Sequence, residues 1–223
     1  MGALSTPRTA AVLPVKRLDA AHRRLEGMLS PATRRALAQA MARDVLLALG
    51  RSPRVDEVVV VSPDPVVQAI ARSGGARVVA ESREAGHSHA ALLGVAALDG
   101  GVDRVLLVAG DCPTLDPAEL DALLDRPAPP GGEVVVVPDR HGTGTNALLL
   151  APPGAIEPAF GAGSRARHER RAAQAGVACE VRAPGTLMLD VDTPDDLAAL
   201  GSALDGARGR GAHTRALLDR LAS

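Results

Sequence analysis

Three aspartates are the residues of this chain whose types and spacing could do most chemistry. Asp190 and Asp192 stand two apart behind the short apolar run 187–189, which reads as a strand. If extended geometry persists, both carboxylates face one side. Two like charges held together are unfavourable unless a cation or a proton intervenes. A hard divalent cation with oxygen ligands, Mg²⁺ above all, resolves that conflict. The competing reading makes them ordinary helix-start acids. Thr193 weakens it, because Thr193 is already a good cap, Pro194 fits the first helical position, and Asp195 and Asp196 fill the acidic first turn. Asp111 stands in Gly110-Asp111-Cys112-Pro113, directly behind a strand-like run. Gly110 allows close backbone approach and Pro113 stiffens the turn. A carboxylate aimed at a ligand and a turn-capping one fit that position equally well.

Basic and glycine-rich segments supply the complementary chemistry. Lys16, Arg17, Arg23 and Arg24 follow the first strand, the nucleotide-phosphate position of a doubly wound fold, though such runs are often only solvated. Neither a Gly-x4-Gly-Lys-Ser/Thr loop nor a Gly-x-Gly-x-x-Gly turn follows that strand, so Walker-type ATPase and dinucleotide oxidoreductase readings lack support. Residues 141–146 carry two glycines, two threonines and an asparagine. They could offer backbone N–H groups and hydroxyls to an anion, or form a simple hairpin. Phe160-Gly161-Ala162-Gly163-Ser164 leads into a helix start, a second anion-competent element. Arg165, Arg167, Arg170 and Arg171 add positive charge there or form a solvated face, and His168 either contacts a substrate acid or caps local structure. Cys112 reads as a small buried filler rather than a nucleophile. Two anion-competent loops, a basic loop and a carboxylate cluster suggest a phosphorylated substrate meeting a nucleotide.

These groups need a scaffold, and the pattern provides one. Strands are expected at 10–15, 55–61, 77–80, 102–109, 134–137, 147–150 and 187–189, alternating with helices at 31–49, 65–72, 89–98, 118–124, 164–175, after Pro194 and at 214–221. Ser30-Pro31 and Asp116-Pro117 read as cap-plus-proline starts, and Gly50 as a stop. The sum is α/β: a single domain over 1–223 with a doubly wound, mostly parallel sheet, and 1–9 and 202–223 at its periphery. Ligands of such sheets bind at the strands' carboxyl ends. Apolar residues make up 46% of the chain, enough for a core, yet Phe160 is its only aromatic residue, so Ala, Val and Leu must fill it. Lack of aromatic platforms and a formal charge of −1 argue against nucleic acid as a partner. No run of ~18 apolar residues suggests a membrane span. The N-terminus lacks signal-peptide features. The segment 1–6 fits the loose myristoylation pattern, but the Ala/Arg/Gly/Pro-rich composition looks like a high-GC bacterial gene, where that modification is not expected. Cys112 and Cys179 make a poor disulfide framework, so a cytoplasmic location is expected.

The ordered set Leu13-Pro14-Val15-Lys16, Arg24-Leu25, Gly110-Asp111-Cys112-Pro113, Gly142-Thr143-Gly144-Thr145-Asn146, Phe160-Gly161-x-Gly163-Ser164-x-x-x-His168 and Asp190-Val191-Asp192-Thr193-Pro194-x-Asp196-Leu197 resembles the 2-phospho-L-lactate guanylyltransferase family of coenzyme F-420 biosynthesis. Actinobacterial members of that family look like phosphoenolpyruvate guanylyltransferases. The resemblance runs over about 10–200. It implies a Rossmann-like fold of the nucleotide-diphospho-sugar-transferase kind and transfer of GMP from GTP to phosphoenolpyruvate or 2-phospho-L-lactate, with release of pyrophosphate. It implies Mg²⁺ on acids matching Asp111, Asp190 and Asp192, and an acceptor acid held at Thr145, Gly161 and Ser164. Lys16 and Arg24 match the basic loop facing the GTP phosphates, with Pro14 and Gly110 beside them; Lys16, Arg24 and Asp111 are the implied catalytic set. Two departures are visible. His22 stands where the family often has lysine, and Ser88-His89-Ala90-Ala91-Leu92 replaces a Leu-Asn-x-Ala-Leu segment near the expected base. Rival readings are a nucleotidyltransferase with another nucleotide or acceptor (3-phosphoglycerate, a molybdopterin, a sugar phosphate) and a catalytically silent nucleotide-binding protein. A homodimer is compatible with the sequence but not required by it.

Overall fold

Valine- and leucine-rich runs become the strands. The computed structural model describes residues 7–127, 129–206 and 209–222. Among these, β1 (Thr9–Pro14), β2 (Glu57–Ser62), β3 (Arg77–Ala80), β4 (Arg104–Val108), β5 (Glu133–Val137), β6 (Ala147–Ala151) and β7 (Ala178–Val181) form one sheet in the order β3-β2-β1-β4-β6-β5-β7. β6 runs antiparallel to β4 and β5, and the other pairings are parallel. β1, β4, β5 and β6 are buried along their whole length. Their apolar runs, preceded by buried Thr9, Arg104 and Glu133 in β1, β4 and β5, need cover on both faces.

That cover comes from helices on both sides. On one face α1 (Pro31–Arg51), α2 (Pro65–Ser73) and α4 (Pro117–Leu124) place Leu46, Val67 and Leu120 against Leu13, Val60 and Leu106. On the other, α3 (His87–Ala96) covers β1 and β2 and α5 (Ser164–Ala175) covers β5 and β7, with Ala91 and Ala172 in one cluster with Val12, Val59, Val134 and Val136. Small side chains let these layers approach closely. A Cβ at Gly94 of α3 would lie 2.3 Å from Val12 Cγ1, so only glycine fits that crossing. α6 (Pro194–Gly206) and α7 (Ala212–Ala222) share a third cluster with α1, built from Leu37, Met41, Leu200, Leu204 and Leu217. The C-terminal stretch is tied down: Asp44 of α1 accepts from the backbone N–H groups of His213 and Thr214 and from the Thr214 hydroxyl. The 1–6 myristoylation pattern lies outside the described residues.

Two expectations fail and one strand is missed, each for an identifiable reason. The run 187–189 is not a strand. It follows a 3₁₀ turn (Gly185–Leu187) that drives Leu187 fully into the core. The seventh strand is instead β7, a mostly exposed edge strand paired only with β5. Gly50 does not stop α1, which continues to Arg51 and is closed by Ser52, whose N–H donates to the Leu49 carbonyl.

Register then brings the chemistry to one edge. Val108 and Val137 both lie opposite Ala147, and β1 is parallel to β4. The segments following β1, β4 and β5, and the one entering β6, therefore share the sheet's carboxyl edge.

Candidate active site

Two connected pockets occupy that edge, one of about 510 Å³ and one of about 160 Å³. Lys16, His87, Asp111 and Asp192 line both. Pro14 and Gly110 line the smaller one only, while Arg24, Thr145, Gly161, Ser164 and Asp190 line the larger one only. These residues therefore face one cleft, whereas Arg17, Arg23, Cys112 and His168 do not line it.

The first arm is acidic and electrostatically frustrated. Asp111 follows β4, and Asp116, not Asp111, caps α4 by accepting from the Ala118 N–H at 2.9 Å. Asp111 is therefore free of the capping role. Burial, then the negative charges of Asp190 and Asp192, push its carboxyl from an ordinary 3.8 up to about 7, with Lys16 opposing. Asp190 is also raised, mainly by burial, although Asn146 Nδ2 donates to it at 3.2 Å. Asp192 pairs with Arg24 at 3.2 Å, with 72% of the Arg24 side chain and 50% of the Asp192 side chain exposed. Such an open pair is worth only ~0–1 kcal/mol, so Arg24 can exchange partners at little cost. Among the described residues no group of three or more His, Cys, Asp or Glu side chains is arranged to hold a metal ion by itself, Asp111, Asp190 and Asp192 included. Asp195 is exposed, and Asp196 is engaged by the N–H groups of Asp192 and Thr193, the Thr193 hydroxyl and Arg140. Both serve the start of α6, as their spacing suggested.

The second arm is a hydroxyl-lined cradle between Thr145 and the start of α5. Ser164 Oγ donates to Thr145 Oγ1 at 3.1 Å, and His168 Nδ1 lies 3.1 Å from the same oxygen. Gly161 turns the entering loop at φ 106°, a left-handed conformation that favours glycine. The helix start is not the open anion site its sequence suggested. The Ser164 N–H already donates to the Gly161 carbonyl and the Arg165 N–H to the Thr143 carbonyl. Two arginines of α5 also differ from a solvated charge run, while Arg170 is exposed. Arg167 donates to the carbonyls of Ala159, Phe160 and Ala162, and Arg171 to those of Glu157 and Pro158. These two staple the loop rather than offer charge to a ligand.

Sequence reasoning passed over His87 and left the contacts of Phe160, Ser88 and His22 unassigned. His87 lines both pockets and packs edge-on against Phe160, with ring centroids 4.6 Å apart. Burial, helped by the Lys16 charge, lowers it to about 4, so it is neutral near pH 7. Phe160 also meets His168 edge-on at 5.4 Å, so the chain's only aromatic residue sits in the wall of the cleft. Ser88, in the segment that departs from the family pattern, accepts from the Phe160 N–H at 2.8 Å, so it anchors the loop. His22, the other departure, lies 2.7 Å from the Val191 carbonyl through Nδ1 and lines the smaller pocket. One signal was available in the sequence. Lys16 is the only lysine among 25 Lys and Arg residues, and it stands in the cleft. Cys112 is buried, its thiol pushed well up by burial, and Sγ contacts the Leu187 carbonyl at 3.6 Å, as a filler would. No helix among the described residues is long and apolar enough to cross a membrane.

Comparison with known proteins agrees with this geometry. A protein called phosphoenolpyruvate guanylyltransferase in Conexibacter woesei is 50% identical over 214 residues, 96% of each chain. One of the same name in Sphaerobacter thermophilus is 43% identical over 193 residues, covering 86% of this chain and 92% of that one. The fold resembles a Desulfovibrio desulfuricans G20 protein assigned to the nucleotide-diphospho-sugar transferases, with TM-score 0.75, 16% identity and coverage of 96% and 95%. It also resembles a nucleotidyl transferase from Methanothermobacter thermautotroptrophicus, with TM-score 0.64, 18% identity and coverage of 89% and 99%. The family model described as guanylyl transferase CofC like matches residues 9–222, and the chain belongs to that family.

Proposed function

We propose that the protein transfers GMP from GTP to phosphoenolpyruvate, releasing pyrophosphate, as a step of coenzyme F-420 biosynthesis. One observation carries this reading. A lone lysine, three mutually repelling aspartates and a Thr/Ser anion cradle meet in one cleft at the sheet edge, in a chain whose relatives bear that name. The acceptor's phosphate oxygen attacks the α-phosphorus of GTP in line. A new P–O bond forms, the bond to the β-phosphate oxygen breaks, and pyrophosphate leaves. The attacking group is already an anion near pH 7, so no general base is required. The side chains agree, because His87 and His168 are held neutral by burial and the Cys112 thiol is pushed above its usual range.

The charge of the carboxylate arm suits a divalent cation, although its three aspartates do not form a ligand set by themselves. Asp111 ionises only reluctantly while Asp190 and Asp192 face it, and a positive ion relieves that repulsion. Mg²⁺ suits an open site of this kind, since it is commonly held by one or two carboxylates, substrate phosphates and water. Asp111, Asp190 and Asp192 would hold it, and when bound it supplies charge neutralisation at the phosphates. Lys16 neutralises charge on the polyphosphate, and Arg24 reaches the same phosphates by releasing Asp192. Thr145, Gly161 and Ser164 orient the acceptor, and that positioning contributes a large share of the rate.

The test is direct. The protein is incubated with Mg²⁺, GTP and, separately, phosphoenolpyruvate, 2-phospho-L-lactate and 3-phosphoglycerate, with ATP and CTP as nucleotide controls. Pyrophosphate and the guanylylated acid, identified by mass, are expected with GTP and phosphoenolpyruvate. Preference for another acceptor or nucleotide would reassign the substrate, and no product from any pair would sink the reading.

A further inference from the structure

We propose that His168 sets the hydrogen-bond polarity of the anion cradle: it donates to Thr145 and thereby leaves one hydroxyl hydrogen of the Thr145–Ser164 pair for the anionic oxygen of the acceptor. This deepens the proposed function and rests on its assignment of Thr145 and Ser164 to the phosphorylated acid.

The argument is a count of protons. His168 is fully buried in α5 and does not line the cleft. The Ala159 N–H donates to its Nε2 at 2.8 Å, so Nε2 carries a lone pair. The ring is neutral, since burial and the charges of Arg167 and Arg171 lower it to about 4. Its single proton therefore sits on Nδ1, aimed at Thr145 Oγ1 at 3.1 Å. Phe160, edge-on to the imidazole at an interplanar angle of 74°, helps fix the ring's orientation.

Thr145 and Ser164 together own two hydroxyl hydrogens. One is used between them, across 3.1 Å. With His168 as donor, Thr145 needs no hydrogen for the imidazole, and the second hydrogen points to the ligand. With the opposite tautomer, Thr145 would donate to His168 and the cradle would offer an anion only lone pairs. A phosphate or carboxylate oxygen accepts hydrogen bonds and donates none when ionised, so the tautomer decides whether the cradle attracts or repels it.

Two isosteric variants separate polarity from anchoring. H168Q keeps an acceptor where Nε2 meets Ala159 but presents no donor at the Nδ1 position. H168N keeps a donor at the Nδ1 position but loses the acceptor facing Ala159. The polarity role predicts that H168Q raises KM for the acceptor by about tenfold or more, with KM for GTP little changed, and that H168N recovers most of that loss. H168N performing no better than H168Q, or H168Q binding acceptor normally, overturns the proposal. T145A, run alongside, tests the underlying assignment. An unchanged acceptor KM in T145A removes the cradle itself, whereas a raised KM in T145A with a normal H168Q removes the polarity role alone. Imidazole ¹⁵N shifts of the unmutated protein give a readout that no folding defect can disturb. A protonated Nδ1 with an unprotonated Nε2 is expected, and the reverse overturns the inference.

Discussion

Replacing Asp111 by asparagine should stabilise the metal-free protein above neutral pH while abolishing its activity. The unfolded chain ionises Asp111 near 3.8, and the folded chain holds its proton up to about 7. Between those values the native state binds more protons, so this residue's contribution to stability falls as pH rises and is fully lost above pH 7. The gap of roughly 3 pH units, at about 1.4 kcal/mol each, comes to ~4 kcal/mol. The part lying above pH 5 is roughly 2 pH units, or ~3 kcal/mol. Asparagine carries no charge at any of these pH values. Its stability advantage over the unmutated protein should therefore grow by ~3 kcal/mol between pH 5 and pH 8, a change in Tm on the order of 8 °C for a chain of this size. Thermal unfolding of both proteins in EDTA at the two pH values measures it. Added Mg²⁺ should raise the Tm of the unmutated protein at pH 8 and leave D111N nearly unmoved. Turnover of D111N should fall at least ~100-fold, of the size seen when one electrostatic group is removed from an active site. If D111N is no more stable at pH 8, or its advantage is the same at pH 5, Asp111 is not the frustrated group described here. Near-normal turnover would remove it from the catalytic set.

Other perturbations probe separate parts of the cleft. Lys16→Met should leave the Tm within about 2 °C, since the side chain is exposed, and lower kcat/KM for GTP by ~100-fold or more in a pyrophosphate-release assay. Lys16→Arg should recover only part of that loss, because a broad guanidinium does not replace a compact ammonium. Arg167→Ala removes contacts to the carbonyls of Ala159, Phe160 and Ala162, so the 157–163 loop should exchange its amide hydrogens faster and KM for the acceptor should rise more than KM for GTP. Cys112→Ala should keep kcat within about twofold and lower stability by ~1 kcal/mol in denaturant titration, as expected of a small buried filler.

Much of the fold was legible because its main elements carry strong local signals. Continuous Val/Leu runs gave the buried strands, and Ser30-Pro31 and Asp116-Pro117 marked helix starts whose side chains do cap them. β7 was not legible. Ala178-Cys179-Glu180-Val181 has little apolar pattern, because an exposed edge strand with one partner needs none. The turn at 185–187 was misread for the converse reason. Leu187 is apolar because a single side chain plugs the core, not because a strand runs through it. At the site, carboxylates at sheet-edge turns could be anticipated from element order and from the family resemblance. The work of Arg167, Arg171 and His168 could not. Their partners are backbone carbonyls and amides of residues 157–162 and the hydroxyl of Thr145, and no spacing rule points from an arginine to a carbonyl.

The two arms of the cleft differ in what they lack, and on the proposed function that difference orders their use. The hydroxyl cradle is complete within the protein: its loop is stapled by arginines, its serine and threonine are bonded to each other, and its histidine is satisfied at both nitrogens. The carboxylate arm is not, because Asp111 holds its proton to about 7 for want of a positive partner and Arg24 lies across Asp192 as a weak stand-in. A cation bringing a polyphosphate relieves that repulsion and frees Arg24 in the same event. An acceptor acid arriving first would instead add negative charge beside three aspartates that already repel one another. On the proposed function, electrostatics would therefore favour nucleotide before acceptor, because the carboxylate repulsion would be relieved only when positive charge arrives with the phosphates.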